Sequence, residues 1–408
     1  MRPIEPIVIV GAGHAGVQLA ASLRQMGSDR AIALINDEPC LPYNRPPLSK
    51  EFLKSEADAA SICLRGESFF RDNGINLVAA RVEQIDRNER NVALSSGGSL
   101  TYGHLVFATG ARRRALELPH EDHPNICYLR SVADGERIRR YLKVSREIVV
   151  VGAGFIGLEF AATAAAQGLR VQIVELGKRF MGRAVSSPVS AHFETQHASL
   201  GSEIHFGRSV TSIVLDDGRL VGVTLDNGRR LSADLIVVGV GVVPNIELAA
   251  SADLPTENGI VVDDTLATCD PNVSAIGDCA IFASRRYGAN IRIEAVSNSV
   301  DQAKFLAGRL TGASGVYDAV PWFWSNQGRS KLQIAGLARN VDQVVVRGAV
   351  GEGTFSAFCY ASGKLMAVES VSRPGDHVIA RRLLAAGAVV RPDQAADVGF
   401  DLKACLAL

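Results

Sequence analysis

The stretch from Ile148 to Glu175 constrains the fold more than any other part of the chain. It consists of an apolar run, three spaced glycines, an alanine-rich helix-forming segment and a second apolar run that ends in an acid. Gly152 permits a tight turn, Gly154 lets the backbone approach a pyrophosphate, and Gly157 lets helix and strand pack closely. A pyrophosphate would lie at the positive end of the helix. The pattern predicts a strand, turn, helix and strand that bind a dinucleotide.

The acid at the end of this unit bears on the choice of nucleotide. Glu175 lies about twenty residues beyond the glycines, where a carboxylate accepts hydrogen bonds from an adenine-ribose 2′-hydroxyl. This position favours NADH, because a carboxylate repels a 2′-phosphate. Lys178 and Arg179 follow closely, so NADPH stays an alternative.

The N-terminus carries a second copy of the same pattern. An apolar run leads into Gly11, Gly13 and Gly16, a helix-forming segment follows, and Asp37 is expected at the end of the next strand. The second set of glycines starts 141 residues after the first. We therefore interpret the chain as an internal duplication with two nucleotide sites, one for a tightly held flavin and one for an exchangeable nicotinamide.

Each copy continues into a similar β-rich block, and the last part of the chain differs from both. The blocks, at 82–110 and 210–241, have glycine-containing turns and end in an apolar run and a glycine. From about Ala319 the pattern predicts an antiparallel meander, then helices near 378–386 and after Pro392. The predicted class is α/β, with two doubly wound dinucleotide-binding domains and an α+β C-terminal domain.

Composition excludes several classes of protein. The 408 residues include 43 basic and 43 acidic side chains, so no global charge indicates nucleic acid or a membrane surface. No apolar segment has membrane-spanning length, and the N-terminus does not resemble a signal peptide. The seven cysteines are scattered and never closely paired, which predicts a cytoplasmic protein without disulfides or a metal site. His192 and His197 are five residues apart and are not expected to share a helix face, so we do not assign them a site.

Seven motifs, in order along almost the whole chain, carry a more specific resemblance. They are GAGHAG, RPPLSK, ATG, GAGFIGLEFAA, VGVGVVPN, AIGDCA and PWFWS. Together they resemble the FAD-dependent, NADH-oxidising ferredoxin reductases of bacterial oxygenase systems. RPPLSK and PWFWS make the resemblance specific, because they are not general features of dinucleotide folds.

The resemblance implies a glutathione-reductase-like architecture and a set of cofactor contacts. The implied domains are an FAD domain of residues 1–112 and 244–318, an NADH domain of residues 113–243, and a C-terminal interface domain of residues 319–408. The implied FAD contacts, beside the first glycines, are Ala15, Asp37, Lys50, Val82, Arg130, Asp278 and Val296. The implied nicotinamide contacts, beside the second glycines, are Ile156, Glu159, Glu175 and Gly241.

The resemblance also implies the reaction. NADH would transfer hydride to FAD, and electrons would leave singly for a [2Fe–2S] ferredoxin, or a rubredoxin, that feeds a haem-thiolate or Rieske oxygenase. Lys50 and Glu159 would form an ion pair beside the flavin, and Trp324, with Trp322 as the alternative, would mark the electron exit. The protein would be a monomer or weak dimer. Candidate basic residues for docking an acidic partner are Arg65, Arg309, Arg329 and Lys331.

Two alternatives remain open from the sequence. A disulfide-type reductase, NADH oxidase or peroxidase on the same fold needs a redox cysteine near the flavin, and Cys40 keeps that option. A redox signalling protein resembling apoptosis-inducing factor would be slow with every ferredoxin and would change its oligomeric state with NADH.

Overall fold

The first segment of the chain forms one copy of the duplicated pattern. The computed structural model describes residues 5–54 and 58–406. The strands of this segment are β1 (Ile7–Val10), β2 (Ile32–Asn36), β3 (Ile75–Ala79), β4 (Val82–Asp86), β5 (Asn91–Leu94), β6 (Gly98–Thr101) and β7 (His104–Phe107). Its helices are α1 (His14–Gln25), α2 (Glu51–Lys54) and α3 (Glu67–Asp72), with 3₁₀ helices at Pro46–Ser49 and Ala59–Ile62.

The second segment repeats the arrangement. Its strands are β8 (Ala111–Arg113), β9 (Ile126–Tyr128), β10 (Glu147–Val151), β11 (Arg170–Glu175), β12 (Glu203–Phe206), β13 (Val210–Asp216), β14 (Arg219–Leu225), β15 (Arg230–Ser232) and β16 (Leu235–Val238). Its helices are α4 (Val132–Leu142), α5 (Phe155–Ala166) and α6 (Ser187–Ser199). Strands β9 to β12 and β16 form a parallel sheet in the order β12-β11-β10-β16-β9, and β13 to β15 form an antiparallel meander.

The third segment completes the first sheet. Its strands are β17 (Val242–Pro244), β18 (Thr256–Glu257), β19 (Gly259–Val262), β20 (Val273–Ala275), β21 (Ala280–Ser284) and β22 (Ala289–Ile291). Its helices are α7 (Glu247–Ser251) and α8 (Val296–Leu310), with a 3₁₀ helix at Gly277–Cys279. The first parallel sheet has the order β20-β7-β1-β2-β3, and β4 to β6 form its antiparallel meander.

The fourth segment is antiparallel as predicted, but it is not a meander, because the strand Ser330–Gly336 pairs with the strand Lys364–Val371 and not with the next strand, Gln343–Ala349. Its strands are β23 (Trp322–Gln327), β24 (Ser330–Gly336), β25 (Gln343–Ala349), β26 (Thr354–Ala361) and β27 (Lys364–Val371). Its helices are α9 (Pro374–Ala386) and α10 (Pro392–Ala396), with 3₁₀ helices at Val350–Glu352 and Leu402–Leu406. Helix α9 begins four residues earlier than predicted, because Pro374 occupies a first-turn position that needs no backbone N–H donor.

These segments group into two compact units. One unit comprises Met1–Asn44, Ala57–Arg112 and Val242–Ala319, and the other comprises Arg45–Glu56, Arg113–Gly241 and Val320–Leu408. The central strands β1 and β10 are almost completely buried, which explains why both appear in the sequence as unbroken apolar runs. The predicted α/β class is confirmed. The three predicted domain boundaries stay predictions.

Among the described residues, no helix combines the length and apolar character needed to cross a membrane.

Candidate dinucleotide and electron-transfer site

The first glycine turn is shaped for a phosphate group. Gly11 has a φ of 108°, and a Cβ at this position would lie 2.4 Å from the Ala108 carbonyl oxygen. A Cβ on Gly16 would lie 2.0 Å from the Gly11 carbonyl oxygen, whereas one on Gly13 would meet no atom within 4 Å. No side chain at Gly13 caps helix α1, so its first-turn amides receive no hydrogen bond from a capping side chain. This cradle fits the pyrophosphate of a dinucleotide.

The second glycine turn has the same construction. Gly152 has a φ of 98°, and a Cβ there would lie 2.6 Å from the Gly239 carbonyl oxygen. A Cβ on Gly157 would lie 2.3 Å from the Gly152 carbonyl oxygen. Gly154 precedes helix α5 in extended conformation, again without a side-chain cap. Both turns therefore fit the same ligand group, as predicted from their spacing.

Several predicted flavin residues come together in the first unit. A Cβ on Gly277 would lie 3.1 Å from the Ala15 Cβ, so the turn that carries Asp278 packs against the start of helix α1. Helix α8, which begins at Val296, packs on α1 and binds the Gly277 amide through the Gln302 Oε1 at 2.7 Å. Val82, at the start of strand β4, is buried in the same unit.

Asp37 does not end the second strand, contrary to the expectation from sequence. Strand β2 ends at Asn36, whose side-chain Nδ2 donates to the carbonyl oxygens of Glu38 and Cys40 at 3.0 and 2.8 Å. Asp37 follows in an exposed position, with the Arg81 Nε 3.8 Å from its Oδ2. The strand registers make Asn36, not Asp37, the counterpart of Glu175.

Glu175 ends strand β11 and reaches back to the glycine turn. Its Oε2 accepts from the Ala153 amide at 2.7 Å, and its Oε1 accepts from the Gly177 amide at 2.7 Å. Ile156, in the first turn of α5, leaves 43% of its surface exposed although it is apolar. Gly241 has a φ of 106° with open space around it. The predicted nicotinamide residues Glu175, Ile156 and Gly241 therefore lie at one end of the second parallel sheet.

Lys50 and Glu159 form a buried ion pair within the second unit. The Lys50 Nζ lies 2.5 Å from the Glu159 Oε2, and only 8% and 5% of the two residues are exposed. The lysine also donates to the Pro46 carbonyl oxygen at 3.1 Å, and the Ser49 Oγ lies 3.4 Å away. Pro46 and Pro47 stiffen the 3₁₀ turn that delivers the ammonium. The contact implied by the resemblance is therefore present.

The sequence reasoning missed two serines that complete the surroundings of Glu159. The Ser49 Oγ donates to the Glu159 Oε2 at 2.6 Å, and the Ser325 Oγ donates to the Oε1 at 2.7 Å. The Asn326 amide adds a longer hydrogen bond of 3.3 Å to Oε1. Both serines belong to the motifs RPPLSK and PWFWS, so the signal was present in segments already singled out.

The Arg130 backbone makes two hydrogen bonds within this unit. Its amide donates to the Asp134 Oδ2 at 3.0 Å, and its carbonyl oxygen accepts from the Arg45 guanidinium at 2.6 Å. It stands immediately before Ser131, which caps helix α4. Arg130 therefore connects the RPPLSK turn to the start of that helix.

The two tryptophans form one stack on strand β23. The rings of Trp322 and Trp324 lie 5.5 Å apart with 30° between their planes, and both are half-buried. The Arg381 guanidinium lies 4.7 Å from the centroid of Trp322. Phe323, between the tryptophans, packs 4.4 Å from Phe155, the first residue of α5.

The candidate docking cations differ in availability. Arg309 is engaged inside the first unit, where it donates to the Thr265 carbonyl and to the Ser274 Oγ at 3.0 and 2.6 Å. Arg65, Arg329 and Lys331 are all exposed, and the Arg65 guanidinium lies 5.3 Å from the Phe69 ring centroid. Among the described residues, no cluster of three or more acidic, histidine and cysteine side chains could hold a metal ion.

Comparison with known proteins agrees with this arrangement. Residues 5–303 match the family model described as pyridine nucleotide-disulphide oxidoreductase, and residues 322–406 match the one described as reductase C-terminal. Rhodocoxin reductase of Rhodococcus erythropolis is 48% identical over 402 residues, which cover 98% of this chain and 94% of that protein.

Solved structures agree as well. The ferredoxin reductase for the CYP199A2 system of Rhodopseudomonas palustris superimposes with a TM-score of 0.97 at 52% identity, covering 98% of this chain and 99% of that one. The reductase in a covalent putidaredoxin reductase–putidaredoxin complex gives a TM-score of 0.95 at 37% identity, covering 99% and 98%. The chain therefore belongs to the pyridine nucleotide-disulphide oxidoreductases, in the group of ferredoxin and putidaredoxin reductases.

Proposed function

We propose that this chain oxidises NADH through a bound FAD and passes electrons singly to a [2Fe–2S] ferredoxin, which in turn supplies an oxygenase. The observation that carries the proposal is the buried Lys50–Glu159 ion pair, because it joins the RPPLSK turn to the helix of the second glycine cradle. In an oxidoreductase with two dinucleotide cradles, a fixed charge pair at this junction is placed to tune the redox centre.

The residues of the first unit would hold FAD. Its pyrophosphate fits the open space over Gly13, where a Cβ would meet nothing within 4 Å. Asp37 would accept from the ribose, and the Asp278 turn beside Ala15 would bind the pyrophosphate and ribityl region. When bound, the flavin supplies the conversion between two-electron and one-electron chemistry.

The residues of the second unit would bind and orient the nicotinamide nucleotide. Glu175 already accepts two backbone hydrogen bonds, and a carboxylate has further lone pairs for the ribose hydroxyls. Arg179 donates to the carbonyl oxygens of Val185 and Gly182 at 2.6 and 2.7 Å, so its guanidinium is engaged within the protein. These contacts support NADH over NADPH.

The Lys50–Glu159 pair would hold a fixed arrangement of charge next to the reacting rings. Lys50 keeps a cation in place, and the four donors around Glu159 keep its carboxylate oriented. Trp324, stacked on Trp322, would mark the point from which electrons leave for the partner.

The relatives support the proposed partner, and the cysteines support the proposed compartment. A ferredoxin is named for the reductase from R. palustris, and putidaredoxin for the reductase of the covalent complex. All seven cysteines lie in the described part of the chain, and no disulfide joins any two of them. We therefore place the protein in the reducing cytoplasm.

Steady-state kinetics test the function. We expect NADH-dependent reduction of cytochrome c to require an added [2Fe–2S] ferredoxin and to weaken with salt. Ferricyanide reduction should need no ferredoxin, and Cys40→Ser should change neither rate. Equal turnover with oxygen alone, or loss of activity in Cys40→Ser, would favour an oxidase or a disulfide-type reductase instead. Preference for a rubredoxin would correct the partner.

A further inference from the structure

A line of buried polar side chains extends from the ion pair to helix α6. Ser325, Gln327 and His197 are all fully buried. The Gln327 Nε2 lies 3.3 Å from the Ser325 Oγ, and the Gln327 Oε1 lies 3.1 Å from the His197 Nε2. The Ser325 Oγ in turn lies 2.7 Å from the Glu159 Oε1. Three hydrogen bonds thus connect an imidazole to a carboxylate.

The direction of each hydrogen bond is determined by chemistry. A carboxylate only accepts, so the Ser325 hydroxyl proton points to Glu159. Ser325 must then accept from Gln327, which turns the amide nitrogen toward Ser325 and the amide oxygen toward His197. The His197 Nε2 must carry the proton. The opposite amide orientation would put the Gln327 oxygen toward the Met181 Sδ, which offers no proton.

All donors in this line therefore point the same way, toward Glu159. Hydrogen bonds in such a chain polarise one another, and the carboxylate at the end gains most from this when it is ionised. Burial lowers the pKa of His197, partly offset by its hydrogen bond to Gln327, so the imidazole is neutral at the start of the chain. Its Nδ1 has no hydrogen-bond partner among the described residues.

Strand β23 explains why these residues meet. Side chains alternate along a strand, so Ser325 and Gln327 share one buried face, while Trp324 and Asn326 point to the other. The strand that carries the proposed electron exit therefore also supplies two of the four donors to Glu159.

We propose that Ser325 and Gln327 are positioning residues, which hold the Glu159 carboxylate in a fixed orientation against Lys50 through a directed hydrogen-bond chain that starts at His197. The proposal deepens the proposed function and rests on the role given there to the Lys50–Glu159 pair. The ionisable groups concerned are Lys50, from the segment before α2, and His197, from α6. Strand β23 contributes uncharged donors, and Glu159 is the sole ionisable side chain of α5.

The test compares Ser325→Ala with Ser325→Thr in the FAD-loaded, full-length protein. The infrared carboxylate stretch of Glu159, assigned by its loss in Glu159→Gln, reports the hydrogen bonds that this group accepts. Ser325→Ala removes one of these hydrogen bonds, so the band should shift and flavin reduction at saturating NADH should slow by roughly threefold to tenfold. Ser325→Thr, which keeps the hydroxyl, should restore both the band position and the rate.

Two further variants make the result specific. Gln327→Leu should shift the band in the same direction by a smaller amount, and it tests the proposal if Ser325→Ala does not fold. Ser370→Ala removes a fully buried serine from the same sheet, one that bonds Ser356 rather than Glu159, and should leave the band unchanged. The rate of flavin reduction at saturating NADH should follow the band position across these variants.

An unchanged carboxylate band in both Ser325→Ala and Gln327→Leu would overturn the proposal, as would an equal shift in Ser370→Ala. Failure of the proposed function would look different. In that case Glu159→Ala would leave NADH-dependent flavin reduction unaltered, while the infrared band would still report whether Ser325 and Gln327 orient the carboxylate.

Discussion

The two glycine cradles share one backbone and differ in what their helices and strands carry. Helices α1 and α5 each span 12 residues and start 141 positions apart, as do their glycines. However, the residue of α1 that lies 141 positions before Glu159 of α5 is Gln18. Gln18 makes a local hydrogen bond to the Ser22 Oγ at 2.9 Å, whereas Glu159 is buried against Lys50.

The strands differ in the same way. By register, Asn36 is the counterpart of Glu175, and His104 is the counterpart of Leu235. At two glycine positions kept in both copies, Gly11 with Gly152 and Gly16 with Gly157, a Cβ would collide with backbone, whereas at Gly13 and Gly154 it would meet no atom closer than 3.9 Å. We propose that the positions that differ determine which nucleotide binds and how it reacts. The predictions below test this division.

The largest expected effect follows from breaking the ion pair, which only the second copy has. Lys50→Met leaves the Glu159 carboxylate buried without its cation, so the free energy of unfolding should fall by about 3–5 kcal/mol in urea titrations. Adding Glu159→Leu should recover part of the loss. Gln18→Ala, at the matching position of the first copy, should stay within about 0.5 kcal/mol. Strictly additive effects of Lys50→Met and Glu159→Leu would contradict a coupled pair.

Substitution of the third glycine in each turn should affect the two cofactors separately. Gly16→Ala and Gly157→Ala each place a Cβ against a carbonyl oxygen, 2.0 and 2.3 Å away, and so push a helix from its strand. We expect Gly16→Ala to purify with little flavin. Gly157→Ala should keep its flavin but lose reduction by NADH roughly a hundredfold, because a displacement of about 1 Å has effects of that size.

Flavin absorbance of the purified proteins and stopped-flow reduction measure these effects. Gly66→Ala is the control, since the nearest atom to its Cβ would be 4.0 Å away. Loss of the same nucleotide in both variants would refute separate sites.

Glu159→Ala should slow flavin reduction at saturating NADH by roughly tenfold to a hundredfold, with little change in NADH affinity, because it loosens the charge pair that holds the geometry. Gln18→Ala should leave the rate unchanged. Stopped-flow traces over a range of NADH concentrations separate rate from affinity, and a pure loss of affinity would remove the special role of Glu159.

Glu175→Ala should show the opposite behaviour. Loss of a charged hydrogen bond to the ribose weakens NADH binding by roughly tenfold, while the rate at saturation changes little. Titration of the oxidised protein with NAD⁺ measures the affinity. Asp37→Ala should leave this affinity unchanged and lower FAD retention instead. Weaker NAD⁺ binding in Asp37→Ala would argue against its assignment to the flavin.

The smallest effect concerns pH. Burial lowers the pKa of His104 to about 3, with Arg309 and Arg30 adding to the effect, against an ordinary value of 6.5. In this pH range the unfolded chain binds a proton on His104 and the folded chain does not. The free energy of unfolding therefore decreases as the pH falls from about 6.5 to about 3. His104→Leu introduces the residue found at the counterpart position, Leu235. In this variant the melting temperature should fall less as the pH is lowered through this range. A parallel decline in both proteins would show that other groups control it.

The sequence predicted the parts of the site that depend on local geometry. Strand and helix periods and glycine spacing are properties of short segments, so both cradles could be located, and Glu175 lies at the strand end where it was expected. The error at Asp37 was one residue, because strand ends depend on pairing with neighbours rather than on local pattern.

The tertiary structure decided which distant residues meet. Lys50 and Glu159 are 109 positions apart and Ser325 is 166 positions from Glu159, so no periodicity connects them. The resemblance suggested the ion pair, but Ser49, Ser325, Gln327 and His197 became candidates only through their contacts. Short-range sterics specify where a nucleotide is held. The charged pair proposed to lie next to that nucleotide, Lys50 and Glu159, is held by buried hydrogen bonds between segments that come together only when the chain folds.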